Sequence, residues 1–163
     1  MKTIRKTVFE TNSSSCHTVT IGGDAEDHEG YVLEVRGTGE YGWDEGVVYS
    51  TPEELMDYAM VAFGCVCPSE EFLKERIREI TECFARHGVT VEWFEYESGR
   101  NHVCWDENHY FGNKICEGYI DHQSDPRYNS ECNEVARAVG EDAEALYNFV
   151  FGGSTVETDN DNH

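Results

Sequence analysis

Positive charge is what this chain has least of. Lysine and arginine number 12 against 33 aspartates and glutamates, a formal charge of −21 over 163 residues. Phosphate backbones and anionic lipid must be met by Lys and Arg, so the balance argues against direct contact with nucleic acid or a membrane surface. Long apolar runs are missing too: none approaches the roughly 18–20 residues that span a bilayer. The opening MKTIRKTVFETNSSS has no apolar stretch of the kind a secretory signal needs, so a cytoplasmic setting is expected. Proline occurs three times, and no Pro- or Ser-rich linker or internal repeat divides the chain. One domain over 1–157 is expected, with 158–163 as a frayed acidic tail. Aromatic residues are not scarce: 8 Phe, 9 Tyr and 3 Trp are enough to anchor a core.

Seven cysteines, an odd number, in a chain without an export signal point to reduced thiols rather than a disulfide framework. Their spacing matches no standard zinc template, since Cys65-Val66-Cys67 is CxC and not CxxC. His102, Cys104, Cys116 and His122, with Cys132 beyond them, still supply the thiolate and imidazole groups that a tetrahedral zinc ion takes. No cofactor is expected, with zinc as the one exception these residues allow. The ordinary role for Cys83 and Cys132 is that of small core residues on helix faces.

Strands are expected at residues 4–9, 17–21, 31–36, 47–49 and 89–96, where β-branched and alternating residues gather. Ser50-Thr51-Pro52-Glu53-Glu54 supplies a cap, a proline at the first helical position and acids in the first turn, which predicts a helix to about Phe63. A second helix is predicted over 70–86, because Phe72, Leu73, Ile77, Ile80, Cys83 and Phe84 recur at helical spacing before Gly88. Residues 130–139 and 141–149 read as two short helices broken at Gly140, with a last strand from Phe149-Val150-Phe151 and 154–157 around Gly152-Gly153 and a short helix allowed near 111–120. Strands early and helices in the middle predict a single α+β domain, a mostly antiparallel sheet packed on the 52–63 and 70–86 helices. Val8, Phe9, Val19, Ile21, Val32, Leu33, Leu55, Phe72, Ile77, Ile80, Phe84, Val91, Trp93 and Phe149 are the expected core.

The most unusual segment is Glu10-Thr11-Asn12-Ser13-Ser14-Ser15-Cys16-His17, in which every side chain donates, accepts or coordinates. Such a loop can bind an oxyanion or place a nucleophile beside a base. Neighbours on an extended segment point to opposite faces, so Ser15 and His17 make the better pair and Cys16 with His17 the worse. Asn12, Ser13, Ser14, Ser15 and His17 are the candidate ligand-binding residues. The plainer role is a turn whose Asn and Ser side chains bond their own backbone. Arg5-Lys6-x-Val8-Phe9-Glu10-Thr11-Asn12-Ser13-Ser14-Ser15-x-His17 also resembles the opening of a family of small bacterial and phage proteins with no known activity. The resemblance covers about 13 residues. It implies a phage or mobile-element setting, and it suggests that the N-terminal loop and the C-terminal strand sit together.

Gly37-Thr38-Gly39-Glu40-Tyr41-Gly42 has the GxGxxG pattern, but Trp43-Asp44-Glu45-Gly46 follows where a dinucleotide site needs a helix, and three acids would repel phosphate. An acidic loop with Glu40, Tyr41, Trp43, Asp44 and Glu45 exposed for protein contact is the expectation instead. Acids crowd two stretches: 22–58 holds 11 with only Arg36 to offset them, and 101–163 holds 13 against Lys114, Arg127 and Arg137. A field of that size attracts basic surfaces, including the grooves of proteins that handle nucleic acid.

Three readings stand on the sequence. The first is a non-enzymatic acidic protein from a phage or mobile element that engages a basic host protein, inhibiting a nucleic-acid-handling or defence system by charge mimicry. The second is a small-molecule or phosphoryl-ligand site on the Asn12–His17 loop, enzymatic or sequestering. The third is a zinc-stabilised domain.

Overall fold

A computed structural model describes residues 15–37, 39–42, 46–93, 118–120 and 124–160. The described elements in chain order are β1 (Ser15–Thr20), β2 (Tyr31–Val35), β3 (Glu40–Tyr41), β4 (Val47–Tyr49), α1 (Pro52–Gly64), α2 (Glu70–Arg86), β5 (Val89–Trp93), β6 (Tyr119–Ile120), α3 (Ser130–Glu141), α4 (Ala143–Phe151) and β7 (Thr155–Asn160). The fold is mixed α+β, as the pattern of strands and helices predicts.

Side-chain caps set the helix starts. At α1 the Thr51 hydroxyl accepts from the Glu54 N–H, and the Glu54 carboxylate accepts from the N–H groups of Ser50 and Thr51 at 3.0 Å each. Ser69 caps α2 by accepting from the Phe72 N–H at 3.1 Å. Asn129 and Asp142 do the same for α3 and α4. The break between the last two helices is therefore at Asp142, whose backbone is extended (φ −143°, ψ 92°), and not at Gly140. Gly140 stays helical for a different reason: a Cβ there would lie 3.0 Å from the Phe63 ring, so the missing side chain lets α3 approach α1.

Apart from Asp57, every α1 residue from Leu55 to Gly64 is buried. A helix apolar on nearly all sides belongs inside a domain, and α1 packs against α3, α4, β2 and β6. Asp57, at its edge, accepts from the N–H groups of Arg36 and Gly37 at 2.8 and 2.9 Å and so ties the end of β2 to the helix. Burial pushes its carboxyl above the ordinary range, and the two backbone donors pull it back.

The antiparallel sheet has the order β1-β7-β4, with Ser15 opposite Asn160 and Thr20 opposite Thr155. Its central strand is β7; Phe149-Val150-Phe151, expected in that strand, instead complete α4, because the helix capped at Asp142 runs on to Phe151. Thr158, expected in a frayed tail, is buried at 1% exposure and lies opposite both His17 and Val47. Two smaller pairs, β2-β5 and β3-β6, are parallel. The first brings Leu33 beside Val91 and lies against α1 and α2.

The core is built on Leu33, Leu55, Ile80, Phe84, Val91 and Phe149, all expected inside and all buried. Val19, Phe72, Ile77 and Trp93 are half-buried. Val8 and Phe9 lie outside the described residues, as do the strand expected at 4–9 and the residues 111–117 of the expected short helix. Two expectations fail. Ile21 is 44% exposed because it follows the end of β1, and Val32 is 50% exposed because β2 turns Leu33 and Val35 inward and so must turn Val32 and Glu34 outward. Leu33→Ala should lower unfolding free energy by about 2–5 kcal/mol. Val32→Ala, on the opposite face, should change it by no more than about 0.5 kcal/mol. Paired denaturant titrations check this, and equal losses would mean that the register of β2 is wrong.

Candidate functional site

Of the proposed ligand loop, Asn12, Ser13 and Ser14 lie outside the described residues. Ser15 opens β1, so the polar segment ends in a paired strand. His17 does not face a ligand space. It is 1% exposed, its N–H donates to the Ser124 hydroxyl at 2.9 Å, and its Nδ1 lies 3.1 Å from the Tyr58 hydroxyl. The Tyr58 hydroxyl in turn lies 3.0 Å from Cys132 Sγ. Burial, and then the neighbouring Cys132, hold the Tyr58 phenol far above its ordinary range, so its hydroxyl keeps its proton. It joins β1, α1 and α3 through the interior. Tyr58→Phe should therefore destabilise the fold by roughly 1–3 kcal/mol, the range for stranding buried hydrogen-bonding groups. Thermal melts of the variant check it, and an unchanged melt would assign the three groups no structural role.

The expected partner-contact loop also changes meaning. Tyr41 is 3% exposed and packs edge-on against Tyr58 and Tyr49, with ring centroids 4.9 and 5.1 Å away. An aromatic ring beside an apolar helix gains more from burial than from exposure, so Tyr41 joins the core. Glu40 belongs to β3. Trp43, Asp44 and Glu45 lie outside the described residues, as do the zinc candidates His102, Cys104, Cys116 and His122. Cys132, their possible companion, is a fully buried core residue on α3, which is its plainer role.

Polar chemistry gathers elsewhere, where α2 ends, α4 begins and the 21–30 segment crosses both. The His28 N–H donates to the His87 carbonyl at 2.8 Å and the Gly30 N–H to the Gly88 carbonyl at 2.9 Å. The Ala25 N–H donates to Asn148 Oδ1 at 2.8 Å. Gly88 has φ +80°, and a Cβ on it would come within 2.6 Å of the Glu29 Cα, so glycine is required at this crossing.

His87 sits at the centre. Its Nδ1 is 2.7 Å from Asp27 Oδ1 and its Nε2 is 2.8 Å from Glu144 Oε2. Ionised carboxylates only accept, so both ring nitrogens carry protons in this arrangement. The ring stacks on Tyr147 with centroids 4.0 Å apart and planes 14° from parallel. The Tyr147 hydroxyl donates to the Glu26 carbonyl at 2.7 Å, which anchors the stack to the 21–30 segment. Arg86 holds the other oxygen of Glu144 at 3.0 Å. The Asp27 and then the Glu144 carboxylate raise the His87 pKa, and the His87 and Arg86 donors lower that of Glu144 to about 2.

Cys83, one helical turn before His87, is 1% exposed. Burial, and then the Glu144 carboxylate beside it, pushes its thiol up to about 11, so it is neither a thiolate nor a ready nucleophile. Donor atoms of Cys83, His87 and Glu144 all lie within 4.8 Å of one another. The described residues thus contain one sulfur, nitrogen and oxygen group with the composition of a metal site. The Cys83-x-x-x-His87 spacing is legible in the sequence as an i, i+4 pair; Glu144, 57 residues after His87, is joined to it only by the packing of α4 on α2.

Comparison with protein-family models, with curated proteins and with solved structures finds no match. Among the described residues, no helix is long and apolar enough to cross a membrane.

The sign of the pH response follows from these shifts. The raised His87 pKa contributes stability that is complete below its ordinary 6.5 and is lost as pH rises through the folded value. The lowered Glu144 pKa contributes stability that is complete above its ordinary 4.5 and is lost as pH falls toward about 2. With a chelator present, the melting difference between the native chain and His87→Ala should be largest between pH 4.5 and 6.5 and shrink on both sides. These groups are partly exposed, so the maximum should be about 1 kcal/mol, or about 2–4 °C. A difference that is flat with pH would remove the ion pairs from the stability of this seam.

Proposed function

We propose that this chain is a non-enzymatic acidic binding protein that engages a basic protein surface. One observation carries the reading. Each of the six arginines among the described residues is ion-paired within the fold: Arg36 with Glu34, Arg76 with Glu79, Arg78 with Glu75, Arg86 with Glu144, Arg127 with Asp125, and Arg137 with Glu141. Positive charge that is scarce in the sequence is thus spent locally, and the remaining carboxylates set the surface potential.

The face we assign is the one around the 21–30 segment, in place of the 40–45 loop. Asp24, Glu26 and Glu29 are exposed there, with Glu82 and Asp142 exposed on the neighbouring helices. This face is held rigid by the His87 and Gly88 contacts, so little ordering is required on association. Its complement is a Lys- and Arg-rich groove of the kind that binds phosphate backbones. The resemblance of residues 5–17 to a phage and mobile-element family favours a host nucleic-acid-handling or defence protein as that complement.

The test uses the full chain, immobilised and exposed to host lysate. A bound protein should be released by raised salt and by duplex DNA as competitor, because both act on the same charges. Once that protein is purified, Asp24→Lys/Glu26→Lys/Glu29→Lys should bind it at least about tenfold more weakly, while Glu92→Lys on β5 should bind as the native chain does. Association that survives high salt, or that ignores the triple reversal, would sink the proposal.

A further inference from the structure

The geometry points to a site for a divalent transition metal of the zinc class, ligated by Cys83, His87 and Glu144 and supported from behind by Asp27. Cys83 and His87 are four residues apart at the end of α2, a spacing that puts two donors on one face. Glu144, in the first turn of α4, supplies the third donor, and all three ligand atoms lie within 4.8 Å of one another. Only small side-chain shifts separate that spacing from common coordination around one ion, with metal–ligand distances of about 2.0–2.3 Å.

The donor types select the metal. Thiolate and imidazole with one carboxylate suit zinc and cobalt; magnesium and calcium take oxygen shells. Three protein ligands leave a fourth position for water or an exchangeable ligand.

The surroundings match as well. Asp27, 2.7 Å from His87 Nδ1, occupies the place of the carboxylate that orients a ligating histidine and fixes its tautomer. The stack on Tyr147 limits rotation of the ring. Arg86 binds Glu144 Oε1 and leaves Oε2, the oxygen already facing His87. Cys83 is buried, His87 half-buried and Glu144 exposed, so the ion enters from the Glu144 side. Loading releases to solvent the Cys83 thiol proton and the proton held between His87 Nε2 and Glu144, and no electron moves. The site is independent of the partner proposed above: metal binding is read on the isolated chain.

The test is a titration of the reduced, chelator-stripped full chain with cobalt(II), followed by zinc. One cobalt per chain should bind with a near-ultraviolet thiolate charge-transfer band and the intense visible bands of tetrahedral cobalt, and zinc should bleach both. Cys83→Ser should abolish the charge-transfer band. Glu144→Gln, a change at an exposed side chain that leaves the core intact, should weaken cobalt binding at least about tenfold, and Asp27→Asn should weaken it by about 10–100-fold at unchanged stoichiometry. Circular dichroism in chelator checks that each variant is folded, and Glu144→Gln decides if Cys83→Ser is not. The proposal is overturned if Glu144→Gln binds cobalt as the native chain does. It is equally overturned if the charge-transfer band survives in folded Cys83→Ser and disappears in Cys104→Ser/Cys116→Ser.

Discussion

The need to bury α1 governs this fold. Between Leu55 and Gly64 only Asp57 escapes full burial, and its carboxylate is occupied by two backbone N–H groups. A helix with so little wet surface cannot rest on one face of a sheet. It has to be wrapped, and α3, α4, β2 and β6 all pack against it. The short parallel pairs follow from this demand. β2-β5 and β3-β6 join segments far apart in sequence, and each contributes apolar residues to the core around that helix, Leu33 and Val91 from the first and Tyr41 and Ile120 from the second.

The same wrapping creates the polar seam. Once α3 and α4 lie against α1, the start of α4 meets the end of α2, and the 21–30 segment crosses the junction. Unpaired carboxylates meeting there would repel one another. His87 prevents this by standing between Asp27 and Glu144, and Arg86 pairs with the other oxygen of Glu144. Among the described residues each arginine is ion-paired with a carboxylate of the same chain. Structural neutralisation and an acidic exterior are two results of one shortage, 12 basic residues against 33 acidic ones.

Local chemistry was well marked in the sequence. Thr51-Pro52-Glu53-Glu54 announced α1, the apolar spacing from Phe72 to Phe84 announced α2, and both helices end within a residue of their expected stops. Caps act over three or four residues, so a linear reading captures them. The boundary between α3 and α4 was misplaced because Gly140 looks like a breaker, while its actual role is to let Phe63 approach. His17 shows the limit of reading function from polarity: a run of hydroxyls beside an imidazole suggested a ligand loop, and the imidazole is buried against Tyr58. Tyr41 shows the reverse, since its acidic neighbours suggested exposure and its ring belongs to the core.

By itself the sequence determined the helices, the α+β class and the sign of the surface charge, because each rests on short-range periodicity, capping or simple counting. It also contained two of the three proposed metal ligands, the i, i+4 pair of Cys83 and His87. Only the tertiary structure decided that β7 is the central strand between β1 and β4, that Thr158 is interior, and that Asp27 and Glu144 flank His87 from opposite sides. Those outcomes depend on which apolar faces find each other across 57 to more than 100 residues of chain. No local pattern encodes that choice; it is settled by burying one helix on nearly all sides at once.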